Sequence, residues 1–337
     1  MPNTTPPQTA ADWYELGIEL GERAEQEPDA ALRERLRDEE IDAYRQAVDA
    51  DPQEAAAWFN LGLAVGQKAD EAEDDEERAA LREQEVAAHQ RAVDLEPEDA
   101  GAWTNLGLAL GQLADAADEA EDDQKRDRLR EQEVAAYRRA VAVDPEDSEA
   151  WYNLGVALGQ QAEMEDDDKR RDGLRDQEIE AYRMAIAADP DEAAESWHNL
   201  ALAFDEQAAL QDDLERRTGL RRQAVEAARQ AVAGLPEDAD AWDVLALALA
   251  RAGWELGERA TLNEAVEAAR HAVTLGAESY GLASVLALAG DEAEALEQLA
   301  TALEDGEVAA EDVADDPDWE RLWDDPRFRE LVGEELF

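Results

Sequence analysis

One tryptophan returns along this chain at nearly fixed intervals: Trp13, Trp58, Trp103, Trp151, Trp197 and Trp242, spaced 45, 45, 48, 46 and 45 residues apart. A near copy of one phrase follows the first four: Trp13-Tyr-Glu-Leu-Gly17, Trp58-Phe-Asn-Leu-Gly62, Trp103-Thr-Asn-Leu-Gly107 and Trp151-Tyr-Asn-Leu-Gly155. The fifth and sixth read Trp197-His-Asn-Leu-Ala201 and Trp242-Asp-Val-Leu-Ala246. A fixed period of this length means one supersecondary unit stacked on copies of itself. Each unit buries its apolar face only against its neighbours, so there is no single core that 337 residues must saturate.

Each unit reads as two antiparallel helices. In the second, Trp58, Leu61 and Val65 form one helical stripe between Glu54 and Glu73. Asp74-Asp75 then offers an N-cap, and Glu76-Glu77 suits the first turn of a second helix. That helix is expected to stop near Leu95, before Pro97. Asp122-Asp123, Asp166 to Asp168 and Asp212-Asp213 repeat the inner punctuation, and Pro28-Asp29 takes its place in the first unit. Pro52, Pro97, Pro145, Pro190 and Pro236 separate the hairpins.

The phrase Trp-x-x-Leu-Gly, with a later Ala-Tyr, Ala and Asp-Pro, resembles the tetratricopeptide repeat. The fourth unit shows it best, in Trp151, Leu154, Gly155, Leu158, Tyr182, Ala185 and Pro190. The resemblance covers roughly residues 11 to 337 and implies an all-α, right-handed α-solenoid. Two departures stand out. Most units are 11 residues longer than the family's 34, about three helical turns, shared between both helices. The small alanine that opens the family's second helix is replaced by Glu40, Glu85, Glu133 and Glu178. Residues 1–10 read as a disordered tail, 11–279 as six long hairpins, and 280–337 as a short hairpin with a cap. The cap resembles the terminal segment of many family members; Trp319, Leu322, Trp323, Phe328 and Leu331 would cover the last exposed face.

Glycines recur four apart on the first helix: Gly17/Gly21, Gly62/Gly66, Gly107/Gly111 and Gly155/Gly159. Each costs about 1 kcal/mol against alanine inside a helix. They imply either close helix approach or, for the second of each pair, room for a ligand. The recurring Trp begins the apolar stripe and is expected in the core.

No nucleotide-binding, zinc-protease or nucleophile-elbow motif occurs, and there is no cysteine. His89, His198 and His271 lie far apart and read as surface or groove residues. The Asp166–Asp168 triple lacks calcium-loop spacing and reads as helix capping. No catalytic residue, metal site or cofactor is expected.

In the tetratricopeptide family the first helix of each hairpin lines a concave groove that binds peptides. The resemblance places there Phe59, Asn60, Leu63 and Gln67; Thr104, Asn105, Leu108 and Gln112; Tyr152, Asn153, Val156 and Gln160. Not one of these twelve is charged, where a chain 35% charged would give about four. Neutral amides present both a donor and an acceptor to an extended backbone, and Asn199 continues the asparagine row. The family's grip on a C-terminal carboxylate needs Lys and Arg at these positions, which are missing.

The expected function is a non-catalytic, cytoplasmic scaffold binding a protein or peptide partner in the groove, with the chain itself a monomer. A self-assembling structural protein would need an uncovered apolar end, which the cap opposes. An enzyme of unrecognised type would need convergent polar groups that no motif betrays. The start of the chain lacks the pattern of a signal peptide. No stretch is apolar enough to span a membrane.

Charge bounds the partners further. Acidic residues number 87 against 31 basic, a net −56, and only Lys68, Lys125 and Lys169 are lysine. Nucleic acid and anionic lipid would be repelled. Acid spread through every repeat, with little lysine, resembles the composition of salt-in halophiles, where molar salt screens self-repulsion. The helical melting temperature should therefore rise between 0.1 M and 2 M KCl, followed by circular dichroism. Equal melting at the two salts would remove the argument.

Overall fold

The computed structural model describes residues 7–333 and Leu336, and among these only helices occur. The chain is an all-α solenoid. Its contacts divide it into two compact units, residues up to Ala157 and from Leu158 on, the division falling inside α7 (Ser148–Glu163). The first unit holds the hairpins α1 (Ala10–Glu25)/α2 (Ala30–Ala50), α3 (Ala55–Glu71)/α4 (Asp75–Leu95) and α5 (Ala100–Glu119)/α6 (Asp123–Val143). The second holds α8 (Asp168–Ala188), then the hairpins α9 (Ala194–Ala209)/α10 (Leu214–Gly234), α11 (Ala239–Leu256)/α12 (Arg259–Leu275) and α13 (Ser279–Ala289)/α14 (Glu292–Asp305). Short helices α15 (Ala310–Asp315), a 3-10 turn at Pro317–Leu322 and α16 (Pro326–Val332) end it. Of the expected N-terminal tail, residues 1–6 lie outside the described residues. Thr9 caps α1 reciprocally with Asp12.

The inner turns follow the aspartates. Asp29, Asp74, Asp122, Asp167 and Asp213 each accept a backbone N–H three residues on, at 2.8–3.0 Å. Such a cap contributes about 1 kcal/mol. Each of the five helices so capped is 21 residues long, about 31 Å at 1.5 Å per residue. Within each unit, the second helix of a hairpin also packs on the first helix of the next. Arginines tie neighbouring second helices: Arg45 donates to Gln84 at 2.8 Å, Arg183 to Gln223 at 3.0 Å and Arg229 to Glu264 at 2.9 Å.

The glycines are explained by what faces them. An added Cβ on Gly17 or Gly107 would stand 2.5 or 2.6 Å from the ring of Tyr44 or Tyr137. On Gly21, Gly111 or Gly159 it would stand 2.6, 2.5 or 2.8 Å from a carboxylate oxygen of Glu40, Glu133 or Glu178. The glycines admit side chains of the second helix, so the alternative of ligand space does not apply. The glutamates that replace the family's alanine are buried in this seam. Each pairs with an arginine three residues earlier: Arg37–Glu40 at 2.7 Å, Arg82–Glu85 at 2.8 Å, Arg130–Glu133 at 2.9 Å and Arg175–Glu178 at 2.8 Å. All eight side chains are at most 8% exposed. Arg82 and Arg130 each reach a second carboxylate on the first helix, Asp70 and Asp115. Burial alone would lower the affinity of Arg130 for its proton, but Glu133 and Asp115 outweigh it and hold the guanidinium charged. Burial pushes Glu133 above the usual carboxylate range, with Arg130 opposing.

The fifth and sixth hairpins show the seam rewritten. Where Gly159 and Glu178 stand in the fourth, the fifth has Asp205 and Ala224, and Arg221 pairs with Asp205. The carboxylate has crossed from the second helix to the first. The sixth has Ala250, Leu262 and Ala265 at these positions, with no charge at all. The tyrosine changes with its glycine too: Ala201 and Ala246 face sequence positions held by Ala228 and Ala269.

Removing one partner of a buried pair costs about 3–5 kcal/mol. Overpacking costs about 1–3 kcal/mol, more than the ~1 kcal/mol that alanine gains over glycine in a helix. Glu133→Ala and Gly111→Ala should therefore each lower the urea midpoint at fixed salt. Gly111→Asp combined with Glu133→Ala, the arrangement of the fifth hairpin, should recover most of the loss. Additive losses in the double variant would show that the two positions do not share one seam.

Candidate partner-binding face

The repeated tryptophans define a register on each first helix. Their rings sit half-buried at the start of the helix, not in the interior as expected. The indole N–H donates back to the proline carbonyl of the preceding turn: Trp58 to Pro52 at 3.2 Å, Trp103 to Pro97 at 3.0 Å, Trp151 to Pro145 at 3.0 Å and Trp242 to Pro236 at 2.9 Å. Trp103 flanks the cluster of Val93, Ala102, Leu106 and Leu110, with the Arg139 guanidinium 5.5 Å from its ring centre. In these four hairpins the tryptophan pins the first helix to the turn before it.

Residues one, two, five and nine positions after the tryptophan lie on the first helix. In the first unit, Phe59 meets His89 edge-on at 5.7 Å and packs on the next hairpin's core cluster. Tyr14, its equivalent, packs on Tyr44 and accepts a 2.9 Å hydrogen bond from Asn60 Nδ2. Thr104 donates to Ala100 O at 3.2 Å and Asn105 to Gly101 O at 2.8 Å. Tyr152 and Asn153 are half-buried. The asparagines therefore do not behave alike: Asn60 joins two hairpins, and Asn105 bonds within its own helix. Each amide retains an oxygen and a further N–H beyond these bonds. Gln67 is exposed and Gln112 half-buried.

The fifth position is the informative one. It is aliphatic in all six long hairpins: Ile18, Leu63, Leu108, Val156, Leu202 and Leu247. Leu108 is 47% exposed, Ile18 39% and Leu202 38%, while Leu63, Val156 and Leu247 are half-buried. Sequence reasoning named only Leu63, Leu108 and Val156. The signal for the other three was the same spacing from the tryptophan.

In the second unit, Gln160 and Asn199 are half-buried. The ninth position of α11 is Arg251, and it holds a chain segment. Arg251 Nη2 lies 2.7 Å from Asp318 of the 3-10 turn, and a second arm reaches Asp205. Arg321 of the same turn stacks 4.8 Å from the ring of Trp254. The cap residues Trp319 and Phe328 are fully buried and Leu322 nearly so, whereas Trp323 and Leu331 are half-buried. Burial opposes the charge on Arg251, but Asp205 and Asp318 together raise its proton affinity.

His89 departs from its reading as a surface or groove residue. It is fully buried, at the position that the first and third hairpins give to Tyr44 and Tyr137. Its ring fills the notch over Gly62, beneath Phe59. His198 is half-buried and His271 exposed, edge-on to Trp242 at 4.5 Å. Asp167 caps α8 and Asp168 pairs with Arg171. Among the described residues no three His, Cys, Asp or Glu converge to hold a metal, and no helix is long and apolar enough to cross a membrane.

Residues 136–169 match the family model described as tetratricopeptide repeat. No curated protein matches the sequence. Among solved structures, MamA is 21% identical, with 62% of this chain and 96% of that chain covered at a TM-score of 0.43. YrrB, a TPR protein with an unusual peptide-binding site, is 15% identical over 69% and 89%, TM-score 0.46. TTC0263, a thermophilic TPR protein in Thermus thermophilus, is 18% identical over 72% and 99%, TM-score 0.41.

Burial pushes the His89 pKa down to about 4 from an ordinary 6.5. The unfolded chain then binds the proton that the folded chain refuses, so stability is lost as pH falls from 6.5 towards 4. At 1.36 kcal/mol per unit the loss is about 3 kcal/mol. His89→Tyr should remove it, and the stability gap over wild type should widen as pH drops through that window. Parallel stability curves from about pH 7 to 4 would contradict the burial argument.

Proposed function

We propose that this chain is a non-catalytic scaffold that binds an extended segment of a protein partner along the first-helix face. The observation that carries this reading is the aliphatic row Ile18, Leu63, Leu108 and Val156, one residue per hairpin, left partly exposed, with uncharged neighbours at the flanking face positions of the last three. Spaced shallow apolar contacts of this kind suit side chains of an extended peptide. Tetratricopeptide repeats typically serve protein–protein interaction, which agrees with the match at residues 136–169. At the ninth position of α11 the register carries Arg251, which pairs with the chain's own Asp318.

The amides Asn60, Asn105, Asn153 and Asn199, with Gln67, Gln112 and Gln160, supply hydrogen bonds to the bound backbone in this reading. Phe59, Thr104 and Tyr152 shape the floor. A partner captured from native lysate at molar KCl should be lost by Leu63→Ser/Leu108→Ser while melting stays close to wild type. Asn105→Ala with Asn153→Ala should weaken it about 5- to 100-fold, at ~0.5–1.5 kcal/mol per hydrogen bond. Full retention of the partner by both double variants would move binding to another surface.

A further inference from the structure

The proposed face changes character at its first hairpin. The second position after the tryptophan reads Glu15, Asn60, Asn105, Asn153, and the ninth reads Glu22, Gln67, Gln112. At both positions α1 carries a carboxylate where the next hairpins carry the corresponding amide. Glu15 and Glu22 are exposed, and neither is paired with a cation among the described residues. The aliphatic residue between them, Ile18, keeps its place in the row and is 39% exposed. The same two positions are uncharged in α3, α5 and α7, and charge returns at the ninth position only in α9 and α11, as Glu206 and Arg251.

We infer that the occupant of this face is an extended peptide segment with aliphatic anchors and a basic end, Lys or Arg, seated on Glu15 and Glu22 of the first hairpin. The inference rests on the face being the binding surface. Amides contribute to backbone recognition irrespective of the peptide's charge, whereas two carboxylates beside one apolar contact complement a cation and repel an acidic end. The pair therefore fixes which end of the segment lies at α1. It also makes affinity fall with salt, which the apolar row alone would not.

The test uses the full chain and a random dodecamer display library, selected at 0.3 M KCl. Selected peptides should combine aliphatic residues with Lys or Arg at one end. Glu15→Gln/Glu22→Gln, an exposed and isosteric change, should weaken them about 2- to 20-fold, as two exposed ion pairs would. The same variant should leave peptides with the basic residues replaced by Gln unaffected. Peptides that bind through Leu63 and Leu108 but lack basic enrichment, or ignore the Glu→Gln variant, would overturn the basic end and leave the face standing. If no selected peptide depends on Leu63 and Leu108, the face itself fails and the inference with it. Concentration-dependent self-association abolished by Leu108→Glu would overturn it in favour of a second copy.

Discussion

A buried arginine–glutamate pair, repeated in each of the first four hairpins, sets the geometry on which these long repeats depend. The pair lies between two helices, opposite a glycine, and the glycine exists because the carboxylate must fit. A buried charge without its partner costs several kcal/mol, whereas a well-packed apolar seam can replace the whole pair at little cost. The chain contains both solutions. Hairpins one to four use the glycine, arginine and glutamate; the sixth uses Ala250, Leu262 and Ala265. The fifth keeps the arginine and moves the acid to Asp205. This is why no member of the set changes alone. It also explains mid-helix glycines that are otherwise unfavourable: their cost is offset by the packing of a ring and a carboxylate that no Cβ could tolerate.

The same relocation ties down the end of the chain. Asp205 reaches Arg221 within its hairpin and Arg251 on the next first helix, and Arg251 in turn holds Asp318. The link between Arg221 and Arg251 runs through this carboxylate on the first helix of hairpin five. In the first four hairpins that position is glycine, and the arginine is engaged within its own hairpin or by an acid on a first helix, as in Arg82–Asp70 and Arg175–Glu206. A repeat protein needs an end that differs from its middle, and here the difference is one acid moved across a seam.

Between hairpins the contacts are modest and regular: an indole N–H to a proline carbonyl, and an arginine to the next second helix. The exposed polar ties contribute about 1 kcal/mol or less apiece. The larger contribution comes from alanine-rich helix faces packed against one another, such as Ala102, Ala109 and Ala114, all at most 1% exposed. With cohesion placed there, the aliphatic residues five positions after each tryptophan are not needed in the core. That is what leaves the row from Ile18 to Val156 available on the first-helix face.

Much of this was legible in the residues alone. The tryptophan period gave the hairpins, and the aspartates gave the inner turns, because capping and proline breaks are local in origin. The uncharged positions on the first helices were visible as a departure from a 35% charged composition. Local signals could not decide contacts made across the hairpin. Whether Gly111 faced a ligand or Glu133, whether His89 was exposed, and whether Trp103 stood inside or at the edge all depend on which second-helix side chain arrives opposite. That is fixed by the rotation of one helix on another, which the period does not encode. The pairing of Arg130 with Glu133 was equally hidden, since Arg-x-x-Glu in an acidic helix reads as a solvated surface pair. Only tertiary packing put it in the interior, where removing its charge becomes costly and the glycine opposite becomes necessary.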